Sequence, residues 1–298
     1  MLGSLGHQDK ESRATVQGEV EVEGGTVRYR VVGEGEHTLV LLHGGPGASS
    51  RYLNPLERLA DKRRVVFYDQ LGGGASDRPH NPSLWRAQRF VEELETLRAH
   101  LGLADFDLLG HSWGGMLAID YALEYEQNLR SMILASTIAD AGLLRKELGR
   151  LRKELPREIQ ETLQRHEEQG TTDSSEYQEA MRGVYGIHLC RLDPWPRELV
   201  ESFEELNMEV YGTMWGPGEF SFVGNLSDWS RVDRLGEIRV PTLITVGEYD
   251  ELTPRCSQQI QRGLPNSELV LFEKCSHVAF LENTDAYLHA VETFLDRV

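Results

Sequence analysis

The sequence has few of the features that mark secreted, membrane or metal-binding proteins. Its 298 residues include only three cysteines, Cys190, Cys256 and Cys275. They are odd in number and lack the paired spacing of a zinc site, so neither a disulfide framework nor a metal is predicted. The chain offers no run of about 20 apolar residues for a membrane span, and its first residues lack the apolar core of a signal peptide. We therefore expect a cytoplasmic protein with no membrane association and no metal or other cofactor.

Positive charge is also scarce. The chain has 31 basic and 48 acidic side chains, which gives a formal net charge of −17. Affinity for phosphate backbones depends on Lys and Arg, so no nucleic-acid partner is expected and a cationic ligand is favoured over an anionic one. The hydrophobic fraction of 40% is ordinary for a globular protein that buries a sizeable core. No feature of the sequence indicates an oligomeric state.

Short apolar runs alternate with helical patterns along most of the chain. This rhythm predicts an α/β fold, with a mostly parallel sheet covered by helices on both faces. Residues 1–17 are polar and unpatterned and predict a flexible N-terminal tail, and the alternation from Gly18 predicts an opening hairpin. We assign residues 18–139 and 232–298 to the α/β core. Residues 140–231 break the rhythm and predict an inserted helical segment, whose charged stretch 143–169 is expected to be mostly solvated.

The strongest single motif is the GxSxG sequence at residues 110–114, which lies between a predicted strand and a predicted helix. In that position the flanking glycines permit a sharp turn that exposes the Ser112 hydroxyl above the sheet. A serine hydroxyl is a weak nucleophile, so it needs a histidine base and a carboxylate that orients this base. In this architecture the three residues follow the chain order serine, acid, histidine.

Both partners are present in that order. Asp250 follows the predicted strand of TLITVGEYD, and His277 follows the last predicted strand, SELVLF. Loops at the carboxyl ends of parallel strands lie at one edge of the sheet, so we expect both side chains near Ser112. Glu248 and Glu251 flank Asp250 and remain alternatives for the orienting carboxylate.

A glycine-rich segment, HGGPG at residues 43–47, follows an earlier predicted strand. Acyl transfer builds negative charge on a carbonyl oxygen, which backbone N–H groups stabilise when they are held ready. We expect one such donor from Gly45 and one from Trp113, the residue after the nucleophile. The segment lacks GxGxxG and a GK[ST] ending, which disfavours a nucleotide-binding loop.

HGGPG, YDQ with its glycine-rich turn, GHSWGG, GEYD and SHVAF occur in this order. Together they resemble the α/β-hydrolase fold and, within it, the proline iminopeptidase (prolyl aminopeptidase) family, over about residues 20–298. The resemblance implies a triad of Ser112, Asp250 and His277 and identifies the insertion 140–231 as a helical cap. It also implies a serine aminopeptidase that releases N-terminal residues, preferably proline, from small peptides or amino-acid amides through an acyl-enzyme.

Members of that family hold the free amino group of the substrate with carboxylates. The matching positions resemble Glu219 in the cap and Glu251 beside the catalytic acid, with Glu204 and Glu209 as possible substitutes for the former. An ammonium group that enters a partly dry pocket needs such partners. Four aromatic residues are candidates to line a pocket for a proline ring: Trp195, Tyr211, Trp215 and Phe220.

One residue departs from the family pattern. The commonest family elbow resembles GGSWG, whereas His111 precedes the serine here. GHSxG is widespread among esterases and lactonases, so an esterase, a lactonase or a broad L-amino-acid amidase with the same triad is the alternative. A non-enzymatic binder of the same fold is a third hypothesis, which the complete set of serine, aspartate and histidine argues against.

Overall fold

The computed structural model describes residues 13–218 and 221–298. Eight strands lie within these residues: β1 (Thr15–Val22), β2 (Gly25–Val32), β3 (Thr38–Leu42), β4 (Arg64–Asp69), β5 (Phe106–His111), β6 (Leu129–Ala135), β7 (Thr242–Gly247) and β8 (Ser267–Phe272). They form one sheet in the spatial order β1-β2-β4-β3-β5-β6-β7-β8. The pairs β1–β2 and β2–β4 are antiparallel, and the pairs from β4 to β8 are parallel. The predicted mostly parallel sheet is confirmed.

The first strand begins earlier than predicted. Thr15, Val16 and Gln17 pair with Val32, Val31 and Arg30, so they belong to the hairpin and not to the predicted tail of residues 1–17. Charged and polar side chains obscured this start because one face of β1 is exposed to solvent. Residues 1–12 of that predicted tail lie outside the described residues.

Helices cover both faces of the sheet. The α-helices of the described residues are α1 (Ala87–His100), α2 (Trp113–Tyr125), α3 (Ala141–Glu154), α4 (Arg157–Gln169), α5 (Ser175–His188), α6 (Arg197–Glu204), α7 (Met208–Met214), α8 (Pro254–Gly263), α9 (Ala279–Glu282) and α10 (Thr284–Leu295). Short 3-10 helices span Ser50–Asp61, Pro82–Leu84, Glu126–Asn128 and Val232–Glu237. None of the helices within 13–218 and 221–298 is long and apolar enough to cross a membrane.

The side chains of the central strands alternate between two hydrophobic cores. In β3, Val40 and Leu42 pack in the core that also contains side chains of α1 and α2. Leu39 and Leu41 pack in the opposite core, with side chains of the 3-10 helix 50–61 and of α10. Successive side chains of a strand point to opposite faces, so a continuous apolar run is what a strand buried on both faces requires.

The segment between β6 and β7 contains α3 to α7. Its charged stretch is two helices, because α3 ends at Glu154 and Pro156 caps the start of α4. Most residues of this stretch are exposed or partly exposed, as expected, but one face of α3 buries Leu144, Leu148 and even Glu147. Helical spacing places these side chains on one face, which packs on the rest of the molecule.

Candidate active site

Ser112 lies at the turn between β5 and α2. Its backbone has φ 57° and ψ −123°, a conformation that residues other than glycine rarely adopt. Close packing explains both glycines of the motif. A Cβ at Gly110 would lie 2.1 Å from the Gly114 oxygen, and one at Gly114 would lie 2.3 Å from the Leu42 oxygen. The turn places Ser112 at the carboxyl edge of the sheet and at the start of a helix.

His277 and Asp250 are hydrogen-bonded to each other. His277 Nδ1 donates to Asp250 Oδ1 at 2.8 Å, and the backbone N–H of Leu252 donates to the same oxygen at 2.8 Å. The two side chains are buried. Burial opposes ionisation of Asp250, but the charge of His277 and the hydrogen bonds to the carboxylate outweigh it and lower the pKa of Asp250. A charged carboxylate on Nδ1 leaves Nε2 of the ring to act as a base.

The two carboxylates that flank Asp250, those of Glu248 and Glu251, have other surroundings. Glu248 is exposed, and its Oε2 accepts a hydrogen bond from the Lys274 backbone at 2.9 Å. Glu251 is buried and lines the same cavity as Ser112. Asp250 is therefore the carboxylate that we assign to His277.

Ser112 and His277 line one cavity of about 310 Å³. Gly45, from the loop after β3, lines the same cavity. Trp113 is the first residue of α2, where backbone N–H groups have no acceptor within the helix. The structure thus brings the predicted catalytic residues and both predicted oxyanion donors to one edge of the sheet.

A larger, more open groove of about 650 Å³ lies along the first two strands. Its lining includes Arg28, Arg30 and Asp69. Arg30 donates to Glu57 and Asn54, and Asp69 accepts from backbone N–H groups. None of the predicted site residues lines this groove, so we assign the chemistry to the smaller cavity.

Side chains of the segment 140–231 form much of the cavity wall. The residues of this segment that line it are Gln178, Tyr185, Leu189, Leu199, Ser202, Phe203, Leu206, Met208, Tyr211, Pro217 and Gly218. Of the four aromatic candidates, Tyr211 lines the cavity. Trp215 is buried and stacks on Phe222, with 4.1 Å between ring centroids, and Trp195 packs against Phe203. Phe220 lies outside the described residues.

The structure describes one of the two residues predicted to bind the substrate amino group. Glu251 is 1% exposed and lines the cavity, whereas Glu219 lies outside the described residues. The two substitutes are placed away from the cavity. Glu209 accepts from Trp85 Nε1 at 2.9 Å and contacts His80 at 3.1 Å, and Glu204 is exposed at the end of α6.

Sequence reasoning missed several buried polar residues around the site. Gln70 links the two predicted oxyanion segments, because its Oε1 accepts from Trp113 Nε1 at 2.9 Å and its Nε2 donates to the His43 oxygen at 2.9 Å. The sequence signals for Gln70 were its position directly after an apolar strand and its place in the YDQ motif, but neither assigned it this link. Tyr52 and His111 form a second link, which joins three loops of the site.

The comparison with known families fits this geometry. A family model described as alpha/beta hydrolase fold matches residues 37–284. The sheet, the strained serine turn and this match define a hydrolase of the α/β-hydrolase class.

Similar proteins narrow the family further. The chain is 40% identical over 286 residues to the proline iminopeptidase of Heyndrickxia coagulans, covering 95% of this chain and 99% of that protein. The crystal structure of VinJ matches with a TM-score of 0.92 and 38% identity, covering 95% of this chain and 98% of the other. The proline iminopeptidase of Mycobacterium smegmatis matches with a TM-score of 0.89 and 33% identity, over 95% and 98%. The chain belongs to the proline iminopeptidase family, which confirms the predicted fold, family and enzyme class.

Proposed function

We propose that this chain is a serine aminopeptidase that releases N-terminal residues, preferably proline, from small peptides or amino-acid amides. The observation that carries this proposal is the buried carboxylate of Glu251 in the cavity that Ser112 and His277 also line. A buried carboxylate favours a cationic group in the cavity, and the free α-ammonium of a substrate is such a group. The similarity to proline iminopeptidases supports the preference for proline.

The reaction begins when Ser112 Oγ attacks the carbonyl carbon of the N-terminal residue. His277 Nε2 takes the hydroxyl proton, while Asp250 holds the ring through Nδ1 and stabilises the charge that forms on it. The negative charge on the carbonyl oxygen is stabilised by the N–H groups of Gly45 and Trp113. The C–N bond then breaks, His277 returns the proton to the leaving amine, and an acyl ester remains on Ser112.

Hydrolysis of the ester completes the cycle. A water molecule gives one proton to His277 as its oxygen attacks the acyl carbon. The ester bond to Ser112 breaks, His277 returns the proton to the serine oxygen, and the free amino acid leaves. Both steps of the reaction use only groups of the chain and one water molecule.

The part of the cavity that binds the N-terminal residue, on the side away from the leaving group, selects the substrate. We assign the α-ammonium to Glu251 together with Glu219, and the side chain of the N-terminal residue to the apolar wall that includes Phe203, Leu206 and Tyr211. Residues 140–231 act as a cap, because they supply this wall while 18–139 and 232–298 supply the triad. The three cysteines are buried and free, which supports a cytoplasmic location.

The test is hydrolysis of four substrates by the wild type and by Ser112→Ala. The substrates are prolyl-arylamide, alanyl-arylamide, N-acetyl-prolyl-arylamide and a simple aryl ester. They differ in whether the amine is free, in the side chain of the N-terminal residue and in whether the cleaved bond is an amide or an ester. We expect the wild type to prefer the prolyl-arylamide and to reject its acetylated form. Loss of the nucleophile should lower kcat by at least roughly 10,000-fold.

Each other result selects another hypothesis. Turnover of the ester alone would favour the esterase or lactonase reading. Equal turnover of acetylated and free substrates would remove the requirement for an amine and with it the role of Glu251. Inertness to all four substrates and to a serine-directed phosphonate would favour a non-enzymatic binder.

A further inference from the structure

A continuous chain of hydrogen bonds runs along the wall of the cavity. The Gly44 N–H donates to Tyr52 Oη at 2.7 Å. Tyr52 Oη and His111 Nδ1 lie 2.8 Å apart, and His111 Nε2 lies 2.9 Å from the backbone oxygen of His277. The chain therefore begins at the glycine-rich loop after β3, passes through the residue before Ser112 and ends on the loop that carries His277.

Its two ends fix the direction of the first and last bonds. A backbone N–H can only donate and a carbonyl oxygen can only accept. His111 Nε2 must therefore carry a proton and donate it to the His277 oxygen. Tyr52 Oη accepts from Gly44, and it donates its own proton to Nδ1 when that nitrogen is unprotonated. With His111 neutral and protonated on Nε2, every donor and acceptor of the chain is used; a doubly protonated ring would instead donate from Nδ1 to Tyr52 and leave the tyrosine proton without this partner.

The surroundings of His111 favour the same protonation state. The ring is 2% exposed and lies 4.6 Å from the ring of His277 and 5.1 Å from that of Phe280, between centroids. Burial first, and then the nearby charge of His277, lower the pKa of His111 to about 3. His111 is therefore neutral throughout the pH range in which a histidine base works.

We propose that Tyr52 and His111 are positioning residues that hold the oxyanion loop, the serine turn and the His277 loop at fixed separations. Both residues line the cavity, but Tyr52 is 5% exposed and His111 is 2% exposed, and their polar atoms are directed to the three bonds of this chain. A glycine at 111 has no side chain to make either bond. This role depends on the proposed function of Ser112 and His277.

The experiment compares Tyr52→Phe, His111→Leu and His111→Gln with the wild type on prolyl-arylamide. The first two variants break the chain and misplace the reacting groups, so we expect kcat to fall by about 10- to 100-fold with little change in KM. Glutamine keeps one donor and one acceptor, and we expect His111→Gln to stay within about tenfold of the wild-type kcat. The pair Tyr52→Phe and His111→Leu should be no worse together than the more damaging single change, because each breaks the same link.

Tyr121→Phe is the matched control. Tyr121 is also buried, and its hydroxyl donates to Glu95 at 2.8 Å, outside the cavity. We expect this variant to keep the wild-type kcat. Thermal unfolding of every variant identifies any loss of activity that comes from loss of fold, and Tyr52→Phe and His111→Gln remain informative if His111→Leu does not fold.

A second measurement separates this role from the substrate assignment. The rate at which a fluorophosphonate labels Ser112 reports the nucleophile and base without a peptide, and it should fall in Tyr52→Phe as kcat does. Slower labelling in an enzyme that does not cleave prolyl-arylamide would support the link and overturn the proposed substrate. Three outcomes would overturn the positioning role. The first is unchanged kcat and labelling in folded Tyr52→Phe and His111→Leu. The others are an effect of these changes on KM alone and an equal loss of activity in Tyr121→Phe.

Discussion

At the scale of single residues, the proposed role of Glu251 is what distinguishes the aminopeptidase hypothesis from the esterase hypothesis. Changing it to glutamine keeps its size and removes its charge. The loss of a buried charge pair with the substrate ammonium is worth about 3 kcal/mol, so kcat/KM for prolyl-arylamide should fall by about 100-fold. Steady-state kinetics on this substrate measures the change.

Glu248→Gln is the control for that substitution, since Glu248 is an exposed carboxylate three residues earlier in the chain. It should retain wild-type kinetics. Phosphonate labelling of Ser112 should be unchanged in Glu251→Gln, because the phosphonate carries no amine. A labelling rate that falls as far as kcat/KM would show that Glu251 supports the Asp250 loop and does not bind the substrate.

The sequence predicted the residues that carry chemistry better than the residues that place them. We assigned Ser112, Asp250 and His277 from motif and position, because each follows a strand of the parallel part of the sheet and their chain order is that of this architecture. Tyr52 and His111 lie 59 residues apart, and no local pattern connects a tyrosine in a 3-10 helix with a histidine at the end of a strand. Their contact exists only because two loops meet at one edge of the sheet.

At the scale of elements, one carboxylate fastens α3 to the end of the loop that carries Asp250 and Glu251. Glu147 is 3% exposed. It accepts from Thr253 Oγ1 at 3.0 Å and from Arg255 Nη1 at 3.1 Å. Thr253 and Arg255 lie at the start of α8, so this contact ties the inserted segment to the core beside the cavity.

Glu147→Ala should lower the free energy of unfolding by about 1–3 kcal/mol, because it leaves the buried hydroxyl of Thr253 without its acceptor. Chemical denaturation measures this difference. Glu154→Ala on the same helix removes an exposed pair with Arg150 and should change stability by about 0.5 kcal/mol or less. Equal effects of the two changes would contradict an anchoring role for Glu147.

The elements themselves were predictable to different degrees. Strands of the parallel sheet are apolar on both faces, so their positions were clear from the sequence. The start of β1 was not, because its exposed face reads as a polar tail. The buried face of α3 was also missed, since a stretch dense in charge predicts a solvated helix. Glu147 is buried together with distant partners, Thr253 and Arg255 at the start of α8, which no local pattern of the sequence indicates.

At the scale of the whole molecule, buried neutral histidines connect the site to stability. His43 Nδ1 donates to the Gly44 oxygen at 2.8 Å, and its Nε2 accepts from the Gln70 backbone at 2.9 Å. This pairing requires a neutral ring, and burial keeps the ring of His111 neutral as well. Burial is the main cause that lowers the pKa of both histidines, in the case of His111 to about 3. The loops of the site are therefore built around rings that resist protonation.

This arrangement predicts acid sensitivity that begins well above the titration of carboxylates. Unfolded histidines titrate near pH 6.5, so below that pH the unfolded chain binds protons that folded His43 and His111 do not. Their contribution is fully present above about pH 6.5 and decreases by about 1.4 kcal/mol per pH unit for each ring as the pH falls toward the folded pKa. Asp250, whose pKa is lowered, adds a loss of the same sign below about pH 4, whereas the raised pKa values of Glu93 and Asp120 act in the opposite sense.

His111→Gln isolates one ring from these opposing groups. Urea unfolding of the wild type and of this variant at several pH values between 7.5 and 5 measures how steeply each loses stability. Because the variant lacks one histidine that titrates only when unfolded, its slope below about pH 6 should be shallower by about 1.4 kcal/mol per pH unit. Parallel slopes would mean that His111 accepts a proton in the folded protein, which contradicts the neutral state that burial gives its ring.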